Sequence, residues 1–452
     1  MTAPGAGLRL PHPLILLLAC LAVAALASWI VPAGRYERRE DSVTGRTVVV
    51  PGTFHRVQPA PVGPLQAAVA VPKGLADAAS VVFLVFLVGG AFAVVEQTGA
   101  LTGAVAWLVR ALGRREALMI PLASAAFALG GLAQNMQEEI IAFVPVLLLL
   151  ARRLGFDALT AVAISLGSAA VGAAFSPINP FQVGIAQQLA QLPPLSGGLF
   201  RTAVLLLAFG IWVAGTMRHA RRIHDHAGGG RVADTPTAVA AGRHAVILGL
   251  VAASFVLLVV GILRFGWGFD ELSAVFFVMG LAAGLTAGLG WAGTAEAFVT
   301  GFRSMAWAGM LVGFARAIYV ALEEGRILDS LVHALFTPLE HLPVALSGLG
   351  MMAAHTVVHV PVPSVSGQAV LTIPILVPVS DLLGMSRQVT VLAYQYGAGL
   401  CEIVTPTNGA MMAILAAAGV PFGQWLRFVL PLWAALLGLG AVAVVAGIAL
   451  GV

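Results

Sequence analysis

The chain has 452 residues, 59% of them hydrophobic and only 10% charged, where a soluble globular protein carries about 25% charged residues. That balance excludes the soluble globular class, and no polar segment is long enough to form a separate soluble core. The net charge of +4 comes from arginines clustered in short loops, which marks membrane topology rather than a nucleic-acid partner.

The first apolar run, residues 13–31, is long enough to span a bilayer. "ALAS" at Ala25–Ser28 also fits a signal-peptidase site, but the preceding segment is only weakly basic, so an uncleaved helix is expected. Residues 34–79 read as an extramembrane loop with a short hairpin and an interfacial segment near "VAVPKGLADAA". A span follows over 80–97, then an interfacial helix over 100–112. Two short apolar arms, 117–133 and 138–154, meet at "QNMQE". Residues 158–192 form one long apolar run broken by "SPINP", and 200–217 spans again. Residues 218–243 hold five arginines and two aspartates among Gly and Ala. This segment is expected as a flexible cytoplasmic linker between halves 1–217 and 244–452. Cys20 and Cys401 both fall in apolar runs, so no disulfide framework is expected.

The second half adds spans over 244–263 and 271–290 and then repeats the pattern of the first. Residue i set beside i + 229 brings Pro145 onto Pro374, Leu154-Gly155 onto Leu383-Gly384, Ser176 onto Thr405, Pro177 onto Pro406 and Asn179 onto Asn408. Chance readily matches aliphatic residues, but not this run of Pro, Gly and Asn. The repeats extend over about 80–217 and 305–450. Arg110, Arg114, Arg115, Arg152 and Arg153 flank the first, whereas only Arg326 and Arg387 occupy the matching stretches of the second, beside several carboxylates. Positive charge prefers the cytoplasm, so inverted repeats are expected.

The expected fold is therefore an all-α polytopic membrane protein with two inverted repeats, each holding a re-entrant helical hairpin and a broken transmembrane helix. This amounts to about nine spans plus two hairpins, or about thirteen segments if the hairpins cross. The N-terminus is expected in the cytoplasm, the C-terminus outside, and the chain in the plasma (inner) membrane.

Helix breaks at membrane depth survive only where they are buried or line a cavity. Paired breaks in corresponding positions of two halves point to a transporter's central site. Ser176, Asn179, Thr405, Thr407 and Asn408 would supply side chains there. The hinge of the first hairpin offers Gln134, Asn135, Gln137, Glu138 and Glu139, and that of the second, at 361–367, offers Ser364 and Ser366, with Gln368 beside it. Arg316, inside an apolar helix, is expected to fix a substrate carboxylate or pair with a buried glutamate, and Glu402 lies near enough to the second break to join it. His355 and His359, at i and i + 4, share a helix face as zinc ligands do. No third ligand has motif spacing, so they read as core or pore-lining residues. No P-loop and no nucleophile elbow occurs.

"RTVVVPGTFHRV", "FLVGGAFAVVEQTGA", "SPINPF", "VGFARAI" and "TPTNGAMMAIL", in that order along nearly the whole chain, resemble the YfcC family, which is similar to the C4-dicarboxylate anaerobic carriers of the ion transporter superfamily. The resemblance implies a secondary transporter, not an enzyme. It implies alternating access, of elevator type, around hairpin tips and helix breaks, and a homodimer in lipid. It also implies a small polar organic solute as substrate, either an amino acid exchanged as by a basic amino acid antiporter or a C4-dicarboxylate. No cofactor is implied, only Na+ or H+ as coupling ion. Competing classes are a membrane-embedded metal-dependent enzyme built on His355 and His359, and an ion channel. On this reading Asn179→Ala and Asn408→Ala each abolish flux without preventing membrane insertion; near-wild-type flux in both would refute a site built from the two breaks.

Overall fold

The computed structural model describes residues 12–41, 47–100, 118–134, 137–193, 195–226, 241–265 and 267–452. Seven helices among them are long and apolar enough to cross a bilayer: Pro13–Ile30, Ala79–Gln97, Gly198–Ile223, Phe269–Ala287, Gly290–Glu324, Val365–Leu382 and Phe422–Leu450. The protein is thus all-α and polytopic, with only two short antiparallel strand pairs. Both lie in the first loop, where Gly34–Arg35 pairs with His55–Arg56 and Arg38–Glu40 with Thr47–Val49. The expected interfacial helix over 100–112 lies, beyond Ala100, outside the described residues.

Packing divides the helices into two groups. In the first, Gly290–Glu324 forms the axis. It has 35 residues, about 52 Å at 1.5 Å per residue, well beyond the ~30 Å of hydrocarbon. Pro13–Ile30, Pro64–Asp77 and Ala79–Gln97 pack along it, and Phe269–Ala287 lies against both it and Ala79–Gln97. Leu17, Leu21 and Ala24 of the first helix are buried in that contact. We call this group the scaffold. The second group, the core, holds two hairpins, two broken helices, and the helices Gly198–His226 and Phe422–Leu450. The half-helix Gly409–Ala418 bridges the groups, packing on Gly290–Glu324 and on Ile140–Arg153.

Residues 229 apart hold equivalent local positions. Pro145 and Pro374 each lie inside the second arm of a hairpin. Gly155 and Gly384 follow those arms with φ of 76° and 64°, values a side chain would strain. Asn179 and Asn408 each cap the second half of a broken helix. Two expectations need correction. The helix beginning at Gly198 continues to His226, so the segment read as a linker from 218 is helical in its first part. The second hairpin's hinge is shorter than expected, because Ser364 caps a helix that already includes Ser366 and Gln368.

The first loop is fastened to helix Leu328–Phe336 by one buried carboxylate. Asp329 accepts from the Tyr36 N–H (2.9 Å) and from Arg38 (2.8 Å), while the Tyr36 hydroxyl meets His333 Nδ1 at 2.9 Å. Burial, reinforced by the charges of Asp329 and Glu340, pushes the Tyr36 phenol up to about 12. It therefore stays protonated.

Within the core, helices approach through small residues. A Cβ at Gly131 would lie 1.9 Å from the Ala169 carbonyl oxygen, and one at Gly172 would lie 2.1 Å from that of Ala128. Such close backbone approach is what membrane helices use in place of a hydrophobic driving force. Gly131→Ala and Gly172→Ala are each expected to cost about 1–3 kcal/mol through overpacking, measured as a lower melting temperature in detergent. Gly438→Ala, which meets open space, leaves it unchanged.

Candidate functional site

Each broken helix has a different way of satisfying its backbone. The first runs over Ala158–Ala174, contains a π-turn at Ala163–Gly167, and restarts at Pro180. Proline cannot supply the N–H an unbroken helix would need there. Ser176 Oγ accepts from the N–H groups of Ile178 and Asn179, at 3.0 and 2.8 Å, and donates to the Leu132 carbonyl at 2.8 Å. Asn179 Oδ1 caps Phe181 and Gln182, both at 2.9 Å, and its Nδ2 donates to the Gly131 carbonyl at 2.7 Å. Ser176 and Asn179 are fully buried, and their bonds to the Leu132 and Gly131 carbonyls tie the first break to the first hairpin.

The second break faces differently. Helix Arg387–Gly399 tightens into a 3-10 turn at Leu400–Ile403 and stops, and Asn408 caps Gly409–Ala418 by accepting from Met411 N at 3.0 Å. Asn408 Nδ2 donates to Gln137 Oε1 at 3.0 Å and to the Glu402 carbonyl at 3.2 Å. Gln137 Nε2 in turn donates to the Glu402 carboxylate. Thr407 Oγ1 donates to the Val360 carbonyl at 2.6 Å, just before the second hinge. The second break thus joins both hairpins.

A cavity of about 360 Å³ opens at this junction, between scaffold and core. Its core wall includes Gln137, Glu138, Ser364, Ser366, Glu402 and Asn408. Its scaffold wall includes Asp77, Val312 and Arg316. Arg316 is bonded to Asp77 and lies over the Tyr319 ring at 4.5 Å. A second cavity of about 410 Å³ shares Arg316, Pro363, Ser364 and Ser366 with the first and reaches Arg38, Thr47 and Val49 of the first loop. The arrangement can hold a polar solute against carboxylates on one side and a guanidinium on the other.

Of the residues singled out from sequence, Glu138, Arg316, Ser364, Ser366, Glu402, Thr407 and Asn408 line this cavity. Ser176 and Asn179 do not; they fasten the first break to the first hairpin. Thr405 is buried and starts the turn that Asn408 N closes at 3.0 Å. Glu139 lies one position further along the tip, with Oε2 buried and unbonded. Gln134 ends helix Met119–Gln134, and Asn135 lies outside the described residues.

Two residues depart from their expected partners. Arg316 is 39% exposed and pairs with Asp77 rather than a buried glutamate, because its face of the long helix meets the end of Pro64–Asp77. Gln368 does not reach the cavity. It clasps the arms of its own hairpin, meeting His355 Nδ1 at 3.0 Å and His359 Nδ1 at 3.2 Å. His355 and His359 are therefore core residues of the second hairpin, bonded through Nδ1 to Gln368. Sequence reasoning placed Gln137 in the hinge but gave it no role, and it overlooked Asp77; neither has a local pattern that would reveal its partner.

The model of the C4-dicarboxylate anaerobic carrier family matches residues 10–449. A protein of Escherichia coli K12, YfcC, named as a candidate basic amino acid antiporter, is 31% identical over 92% of each chain. An uncharacterised protein of Haemophilus influenzae is 28% identical over 91% of this chain and 83% of its own. Among solved structures, the YdaH transporter of Alcanivorax borkumensis is 18% identical with a TM-score of 0.46, covering 98% of this chain and 99% of its own. MtrF of Neisseria gonorrhoeae, described with a class of antimetabolite efflux pumps, is 16% identical with a TM-score of 0.41, covering 97% and 95%.

Gln137→Leu removes the amide that satisfies both Glu402 and Asn408. Stranding buried partners costs more than the bond itself gains. Turnover in reconstituted vesicles is expected to fall at least about tenfold, with membrane insertion retained.

Proposed function

This chain belongs to the C4-dicarboxylate anaerobic carrier family and is a membrane transporter, and we propose that it is a secondary carrier that exchanges a small amino acid, preferentially a basic one, by alternating access at the cavity between scaffold and core. One observation carries this reading. The cavity sets Glu138 and Glu402 on the core wall across from the Asp77–Arg316 pair on the scaffold wall. A buried carboxylate is costly and needs a positive partner. A cationic side chain or α-ammonium meets that need at Glu402, while Arg316 suits an α-carboxylate.

Alternating access has a geometric basis in the two packing groups. Gly409 lies so close to Val312 that a Cβ would stand 3.0 Å from the Val312 Cα. The half-helix that ends the second break therefore packs closely on the long scaffold helix, with the Val312 side chain beside it. In this reading the core carries the cavity across a fixed scaffold, the repeats are inverted about the membrane plane, and the chain works as a homodimer in the plasma membrane. The N-terminus is cytoplasmic, the C-terminus lies outside, and a proton or sodium ion is the coupling ion.

A second reading, exchange of C4-dicarboxylates, is favoured by the family's name and by Arg316 with the hydroxyls of Ser364, Ser366 and Thr407 around the same cavity. The carboxylate excess weighs against it. Counterflow in proteoliposomes, with labelled L-arginine, L-ornithine and succinate tested separately, decides between the two. L-arginine and L-ornithine are expected to exchange and succinate to fail; the reverse outcome overturns the preference. Glu402→Gln, which keeps the volume and removes the charge, is expected to lower exchange of the basic amino acids at least about tenfold.

A further inference from the structure

The most costly side chain in the core lies outside the cavity. Arg201 is fully buried, and among the described residues it has no carboxylate partner. Its guanidinium is held by two neutral amide oxygens, those of Gln395 and, at 2.9 Å, Gln388. Its Nε has no partner. It also stands in the first turn of Gly198–His226, the end of a helix where a cation is disfavoured. A buried charge without a counter-charge loses hydration that neutral amide bonds repay only in part. Inside a membrane protein such a residue is a functional hypothesis by default.

The compensation lies one side chain away. Gln395 accepts from Arg201 through Oε1, and through Nε2 it donates to the carbonyls of Ser176 at 2.8 Å and Ala173 at 3.2 Å. Those are the carbonyls at the broken end of Ala158–Ala174, the negative pole of that half-helix. An amide polarised by a guanidinium on one side donates more strongly on the other. Among the described residues the second break shows no such counterpart: its carbonyls accept from neutral donors, Trp425 to Ile403 at 2.7 Å and Asn408 to Glu402 at 3.2 Å. The group facing the cavity there is a carboxylate, Glu402.

We infer that Arg201 is the resident cation of the first break: acting through Gln395, it supplies permanently the positive charge that the broken end of this half-helix calls for, so that exchangeable charge is confined to the second break. Arg201 is then a positioning residue that touches neither solute nor coupling ion. The carrier reading gives this arrangement its purpose. A break whose charge never leaves stays closed throughout the cycle, while the break beside Glu402 is free to gain and lose a cation.

The test uses the full-length protein, purified and reconstituted. Arg201→Met and Gln395→Glu are expected to insert normally. Gln395→Glu gives the guanidinium a carboxylate partner and is expected to melt no lower than wild type. In counterflow with labelled L-arginine and, separately, succinate, both variants are expected to lose about tenfold or more in turnover with an unchanged half-saturation constant, and Arg201→Lys to retain part of it. Arg201→Ala is expected to melt below wild type, and millimolar guanidinium chloride, but not potassium chloride, to restore it without a comparable rise in wild type. Turnover of Arg201→Met or Gln395→Glu within about twofold of wild type, or failure of guanidinium to restore Arg201→Ala, overturns the inference. If Arg201→Met fails to insert, Gln395→Glu carries the transport arm. If wild type exchanges neither probe, the substrate reading fails and the guanidinium melting arm still decides the role of Arg201.

Discussion

A helix broken inside hydrocarbon leaves bare carbonyls at the end of one half and bare N–H groups at the start of the other, and no water is present to satisfy either. Much of the core serves that requirement. The first hairpin supplies the carbonyls of Gly131 and Leu132 to the side chains at the first break. Phe422–Leu450 contributes Trp425 to the second break, and Gln137 reaches across to Asn408. The hairpins are held where they are because each closes backbone or side-chain valences that a break opens.

Equivalent breaks have reached different chemistry. At the first, Ser, Asn and Gln side chains close the open groups, and the nearest charge is a guanidinium sealed from solvent. At the second, the closing groups include a carboxylate and a glutamine tip that also line a cavity, and the opposite wall belongs to the scaffold. A carrier needs one place where charge can be exchanged with a solute and a body rigid enough to carry it. On the proposed reading, the first break provides rigidity and the second the exchange. The close contacts at Gly131 and Gly172 bind the first hairpin to the first broken helix, and a close contact at Gly409 sets the second against Val312 of the scaffold.

The first loop reaches the same region. Asp329 of helix Leu328–Phe336 gathers the Tyr36 backbone and the Arg38 side chain, so the two small strand pairs are fixed to that helix while Thr47–Val49 lies against Val365–Leu382 of the second hairpin. The cavity that reaches this loop shares its inner residues with the solute cavity.

Much of the architecture was determined by the sequence alone, because the requirement that backbone groups be satisfied in lipid acts within each segment. Apolar runs located the spans, and "SPINP" and "TPTNG" located both breaks. The spacing of 229 paired residues that the structure gives the same local jobs: proline within a hairpin arm, left-handed glycine after it, asparagine at a half-helix cap. What the sequence left open is which polar residues meet. Gln137 and Glu402 are 265 positions apart, Arg316 and Asp77 239, and Arg201 and Gln395 194. No local periodicity encodes a partner at such separations. Only tertiary packing turned Arg316 toward Asp77, withdrew Gln368 between two histidines, kept Ser176 and Asn179 from the cavity, and put a carboxylate at one break and a sealed guanidinium near the other.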